Sequence, residues 1–275
     1  MPELPEVETI RKTLSQLVLG KTIDDVSVYW PNIVQYPDEE EFRILLRDET
    51  IERISRRGKF LLFYLTDYVL VSHLRMEGKY KLQVREDTLT KHTHIVFHMK
   101  DGTDLRYEDV RKFGTMHLFP IGEELQRKPL QTLGPDPFEE AYTLDYLLNR
   151  FKKTSRTIKA CLLDQTIVSG LGNIYTDEVL FLSKVHPERR ANSLSKEEVE
   201  RIYTHAKSVL EAAIKLGGTT IRSYVDGQGE MGMFQQELYA YGQEGEPCFY
   251  CGDSIEKIKV AGRGTHFCPT CQQKK

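Results

Sequence analysis

Apolar positions divide the chain into a strand-rich first half and a helical second half. Val7, Ile10, Leu14, Leu17 and Val18 recur at spacings of three and four. That period predicts an amphipathic helix after a proline-bounded extended start, and Gly20 sits where a helix stops. From Thr22 to about Phe119 the pattern becomes that of strands. Segments 59–65, 68–74 and 94–98 are short, β-branched or aromatic, and separated by turn residues such as Asp101-Gly102. Several such strands in series predict a β-sandwich or barrel. Residues 120–137 hold four of the eleven prolines and read as a linker. Beyond it the period is helical. The clearest helix starts at Ser195, whose capping box with Glu198 precedes Val199, Ile202, Ala206, Val209, Ala213 and Ile214, and it ends at Gly217-Gly218. A glycine-rich stretch, 226–232, reads as a mobile loop.

Composition narrows the class. With 275 residues the chain is long enough for two cores, and 40% hydrophobic with 29% charged residues is ordinary for a globular protein. No apolar run approaches the roughly 20 residues that cross a bilayer, and the opening residues lack the basic and apolar regions of a secretory signal. The expectation is a cytoplasmic protein whose thiols stay free or hold metal. The net charge of −3 argues mildly against bulk attraction to phosphate, yet charge position matters more than the sum. Arg53, Arg56, Arg57 and Lys59 surround Gly58, and five basic residues with no acidic one lie between Lys257 and Lys275. Either group also reads as a solvated face.

Two features carry chemistry. Cys248-x-x-Cys251 and, sixteen residues on, Cys268-x-x-Cys271 can each present two thiolates from a tight turn, together a tetrahedron around one Zn²⁺. All four positions would be filled, so the metal is structural. Two disulfides are the competing reading, disfavoured by the missing export signal and by Cys161, which would stay unpaired. Between the pairs, glycines flank Arg263 and would let a hairpin tip approach another backbone closely. The second feature is the amino terminus. Removal of Met1 before a small residue would leave Pro2 with a free secondary amine. An α-amine is roughly 10–15% free base at pH 7, against about 0.04% for a lysine. Such a proline is an available nucleophile that forms an iminium electron sink. Glu3 could move protons beside it, with Glu6 and Glu8 orienting the neighbourhood. A plain proline-rich terminus fits the spacing too.

Segments 1–9 (MPELPEVET), 57–60 (RGKF), 73–78 (HLRMEG), 109–114 (DVRKFG) and 170–175 (GLGNIY), with the terminal cysteine cluster and its internal arginine, resemble in order the blocks of bacterial formamidopyrimidine-DNA glycosylases. The resemblance spans essentially the whole chain. It implies an α+β fold of several domains: a catalytic β-sandwich with flanking helices (1–119), the linker (120–137), a helix–two-turn–helix DNA-binding domain (138–225), a lid or connector (226–240) and a zinc ribbon (241–275). It implies one zinc ion, a monomer, and duplex DNA carrying oxidised purines as the partner. The damaged nucleotide is swung out of the stack. Pro2 is then the nucleophile, Glu3 the acid at the sugar oxygen, Lys59 the proton donor in elimination and Arg263 the phosphate ligand. Met76, Arg111 and Phe113 match residues that fill the vacated stack, although a methionine and a phenylalanine alone read as core. Asn173 and His92 match DNA contacts, Glu77 a contact to the lesion base, and 222–234 the lid. The related endonuclease VIII branch, which prefers oxidised pyrimidines, usually has glycine where Leu4 stands. A non-catalytic zinc-ribbon DNA binder is the competing reading of another class. A zinc enzyme would need an open coordination site, which four cysteines do not leave.

Overall fold

In a computed structural model, which describes residues 1–219 and 232–274, the strand-rich half forms two sheets. Strands β1 (Ile23–Val28), β2 (Val34–Tyr36), β3 (Arg53–Arg57), β4 (Phe60–Tyr64), β5 (Tyr68–His73), β6 (Lys79–Val84), β7 (Thr93–Met99), β8 (Thr103–Glu108) and β9 (Thr115–Pro120) follow in chain order. One sheet runs β1-β7-β8-β6, the other β2-β9-β5-β4-β3, and only the β2–β9 pairing is parallel. Their facing side chains share one core. Leu61, Phe63, Leu70 and Met116 come from one sheet, and Val26, Ile95, Phe97 and Leu105 from the other. This is a β-sandwich.

Strands β4 and β5 are buried on both faces, and helix α1 (Leu4–Val18) packs on β3 and β4. Double burial removes the need for polar residues on alternate positions, which is why these two segments read as continuous apolar runs. The helix begins at Leu4 because Pro5 fits the first turn, where its missing N–H costs nothing. Gly20 follows it at φ +78°, a conformation that favours glycine. One element departs from the strand reading: helix α2 (Glu39–Leu46) interrupts residues 22–119. Asp38 accepts from Glu41 N, three glutamates fill the first turn, and Phe42 and Leu46 are buried one turn apart. Two turns are too short to imprint a clear period on a stretch dominated by strands.

The chain divides into two compact units, residues 1–131 with Thr219 and Gly232, and residues 132–218 with 233–274. The boundary falls inside the proline-rich stretch, which is itself ordered. It holds two short 3₁₀ turns, with Leu130 and Asp136 buried. The second unit carries α3 (Leu144–Lys152), α4 (Ile158–Leu163), α5 (Asn173–Leu182) and α6 (Lys196–Lys215), then the hairpin β10 (Glu256–Val260) and β11 (Arg263–Phe267). Thr143 and Thr157 cap α3 and α4. Ser195 and Glu198 form the expected capping box on α6, and Gly217 and Gly218 follow it at positive φ. Helix α5 is buried from Tyr175 to Phe181, charged residues included, and packs on α4, α6 and β11. It is the central helix of its unit. Among the described residues no helix is long and apolar enough to cross a membrane.

Candidate functional site

In the first unit the site grows from the head of α1. Pro2 and Glu3 are both buried. The Glu3 N–H donates to Glu6 Oε2 at 2.8 Å, and the other Glu6 oxygen accepts from Thr219 N at 2.8 Å and Thr219 Oγ1 at 3.2 Å. One buried carboxylate therefore holds the residue after Pro2 and a backbone N–H 213 positions away. Glu8 faces elsewhere. It pairs with Arg11 at 2.8 Å and with Arg56 at 3.3 Å.

The basic group around Gly58 is only partly a solvated face: Arg53 is exposed, but the others are partly or fully buried. Arg56 is largely buried and donates to Gly58 O, Arg57 donates to Leu130 O, and Arg53 lies 3.7 Å over the Tyr64 ring. Lys59 is only 4% exposed, in the two-residue turn that joins β3 to β4, where Gly58 adopts φ +54°. Nearby His73 accepts from Arg75 N through Nδ1 at 2.9 Å. Burial, with the charges of Arg75 and Lys59, pulls its pKa down to about 3, so the ring is neutral.

Two glycines explain two of the sequence blocks. A Cβ on Gly114 would overlap the Tyr107 hydroxyl and come within 2.7 Å of its Cζ; one on Gly78 would overlap the same hydroxyl and reach 2.6 Å from Leu74 O. The turn holding Met76 and Glu77 and the loop holding Arg111 and Phe113 thus both end beside one tyrosine. Buried Asp109 builds that loop. Its carboxylate accepts from the backbone N–H groups of Arg111, Phe113 and Gly114, each at 2.9 Å, while Lys112 takes φ +58°. Phe113 is 52% exposed, and the Arg111 guanidinium lies 4.8 Å over its ring. Met76 is half-buried, and Glu77 is exposed. Neither Met76 nor Phe113 is among the buried core residues. His92 is half-buried, and its carbonyl accepts from Asp109 N at 3.0 Å.

The second unit has its own polar array. Asn173 opens α5, preceded by Gly172 as N-cap. Its Nδ2 donates to Gly264 O at 2.9 Å, which leaves a second amide hydrogen. The β10–β11 turn is two residues, Ala261 and Gly262, both at positive φ, the pairing geometry of the tightest hairpins. Arg263 is exposed at the first position of the return strand. Beneath it, Lys159 Nζ donates to Asp177 Oδ1 at 2.6 Å with both side chains fully buried, and Asp177 Oδ2 accepts from His266 N at 2.9 Å. Sequence reading passed over this pair; nothing in the spacing of 159 and 177 marks it.

The four cysteines meet. All their Sγ atoms lie within 4.8 Å of one another, with Cys248–Cys271 at 3.9 Å and Cys251–Cys268 at 3.5 Å. A tetrahedron with Zn–S bonds of about 2.3 Å has S···S edges of about 3.8 Å, whereas a disulfide needs about 2.05 Å. The arrangement fits one metal ion and no disulfide. The expected lid residue Arg222 and the rest of 220–231 lie outside the described residues.

Three family models match in succession: the formamidopyrimidine-DNA glycosylase N-terminal domain over residues 1–116, the formamidopyrimidine-DNA glycosylase H2TH domain over 133–225, and the zinc finger found in FPG and IleRS over 245–274. Curated relatives include the formamidopyrimidine-DNA glycosylases of Oceanobacillus iheyensis, 58% identical over 100% of this chain and 99% of that protein, and of Shouchella clausii, 59% identical over 99% of each. Among solved structures, the Lactococcus lactis Fpg in complex with abasic-site DNA superposes with a TM-score of 0.93 at 44% identity, covering 99% of this chain and 100% of that one. The same wild-type protein with DNA containing N7-benzyl-Fapy-dG gives 0.92.

Proposed function

This chain belongs to the formamidopyrimidine-DNA glycosylase family, and from that premise we propose how its residues divide the work. It is a DNA glycosylase and abasic-site lyase of base excision repair, acts on damaged DNA, and holds one structural zinc ion. In our reading the substrates are 8-oxoguanine and formamidopyrimidines in duplex DNA, met in the bacterial cytosol by a monomer. The sandwich domain is 1–119 and the helical domain 138–225, with the ribbon at 241–275.

After Met1 is removed, the Pro2 nitrogen attacks C1′ of the swung-out nucleotide. The C1′–N9 bond breaks and the base leaves. Glu3 protonates the sugar ring oxygen, so the ring opens and leaves an iminium between Pro2 and C1′. The iminium withdraws electrons, a proton leaves C2′, and the 3′ phosphate is expelled; a second elimination expels the 5′ phosphate. Lys59 donates a proton during elimination, and Arg263 and Asn173 bind phosphate, Arg263 through its bidentate fork. Met76, Arg111 and Phe113 enter the vacated stack, with the guanidinium on the orphaned cytosine. His92 contacts DNA and Glu77 the lesion base. Cys248, Cys251, Cys268 and Cys271 would hold the zinc, which supplies folding energy rather than chemistry.

The observation that carries this reading is the buried Pro2-Glu3 pair pinned by Glu6 to the helix head. It supports a preorganised nucleophile rather than a frayed terminus. Borohydride added to the protein and an 8-oxoguanine duplex should trap a covalent adduct, and Pro2→Gly should release base far more slowly. Normal excision by Pro2→Gly, or an intact mass that retains Met1 in active protein, would sink the assignment.

A further inference from the structure

The helical unit carries cations that this reaction does not use. Lys184, Arg189 and Arg201, with Leu182, Glu198 and Gln273, line a cleft of about 480 Å³. Arg189 is answered by Glu198 at 3.1 and 3.2 Å, and Arg201 Nε donates to Ser183 O at 2.9 Å. Among the described residues no carboxylate lies within ion-pair distance of Lys184 or of Arg201. Lys184 adopts φ +54° immediately beyond α5, a conformation unfavourable for a lysine, and its ammonium lies 5.5 Å over the ring of Tyr250.

Tyr250 belongs to an exposed aromatic step beside this cleft. Phe249 and Tyr250, the two residues between Cys248 and Cys251, are 72% and 51% exposed, with centroids 5.4 Å apart. Metal ligation asks nothing aromatic of those positions. Both rings are rigidly backed, Phe249 by Tyr239 at 5.3 Å and Tyr250 by Phe181 at 5.6 Å. Rigid exposed aromatics beside spare cations resemble the anchors of a protein interface.

We infer that this cleft and its aromatic step form a docking site for an acidic peptide segment of a partner protein, one that carries a large apolar side chain. The peptide's carboxylates pair with Lys184 and Arg201, and its apolar side chain rests on Phe249 and Tyr250. Duplex DNA fits less well. The cleft offers two cations with no carboxylate in ion-pair contact, Arg201 already lying in the field of Glu197 and Glu198, where phosphate tracking uses about 6–10 contacts. It also lies at the C-terminal end of α5, about 15 Å along the axis from Asn173.

The test titrates full-length, zinc-loaded protein into a fluorescein-labelled peptide of acidic residues with one central phenylalanine, read by anisotropy at low salt. Saturable binding is expected. It should weaken about tenfold or more for Lys184→Glu and for Phe249→Ser, and for a peptide with alanine in place of phenylalanine. Excision of damaged bases, zinc content and melting temperature of Lys184→Glu should stay at parental values. Absent saturation, indifference to Lys184→Glu, or displacement of the peptide by undamaged duplex DNA would each overturn the inference, the last by making this face a DNA surface.

Discussion

Replacing Lys159 with methionine tests how the zinc hairpin is held. The ammonium and the Asp177 carboxylate are 2.6 Å apart and both fully buried, while Lys159 also reaches Gly264 O at 3.4 Å. Methionine keeps most of the length and none of the charge. Asp177 then retains the His266 N–H but loses its cation. Removing one partner of a buried pair costs about 3–5 kcal/mol, because the remaining charge is stranded away from water. At about 2–4 °C per kcal/mol, the melting temperature should fall by about 6–20 °C. The second variant, Lys159→Met with Asp177→Asn, removes both charges and keeps an acceptor for His266 N. It should recover at least about 1.5 kcal/mol of the loss, since each single variant buries an uncompensated ion and the double buries none. Urea and thermal melts of the parent, both singles and the double close the cycle. A single variant that loses under about 1 kcal/mol, or a double no more stable than Lys159→Met, would refute the reasoning.

Gly114→Ala should destabilise the first unit by at least about 2 kcal/mol, since its methyl group would overlap Tyr107. Tyr107→Phe should restore part of that loss in a urea titration, and a Gly114→Ala midpoint equal to the parent's would rule the clash out. His73 sets part of the acid limit. Its pKa falls from 6.5 to about 3 on folding, so the unfolded chain binds the extra proton. Stability is therefore full above pH 6.5 and declines as pH falls toward 3, by about 2 kcal/mol at pH 5. His73→Gln should flatten this limb of a stability-versus-pH curve, and an unchanged slope would assign the acid sensitivity to other groups.

Much of this protein was legible along the chain, because local chemistry wrote it there. The α6 capping box, the glycine stops after α1 and α6, and the two Cys-x-x-Cys turns each lie within a few residues, where spacing alone states the geometry. Helix α2 was missed because two turns give little period to read. The glycines of blocks 73–78 and 109–114 were visible as motif letters, yet their reason, a shared Tyr107, appears only when β5, β8 and β9 assemble.

The sequence by itself determined the residue types: a proline and glutamates at the front, four thiols at the end, and basic residues at fixed places between. Only the tertiary structure decided which of them act together. Glu6 rather than Glu8 clamps the Pro2 segment, Asp177 neutralises Lys159 from 18 residues away, and Phe113 stands outside the core. The physical reason is that burial and long-range pairing depend on how sheets and helices stack. A carboxylate's partner is whatever the fold brings within about 3 Å, and no local period records that.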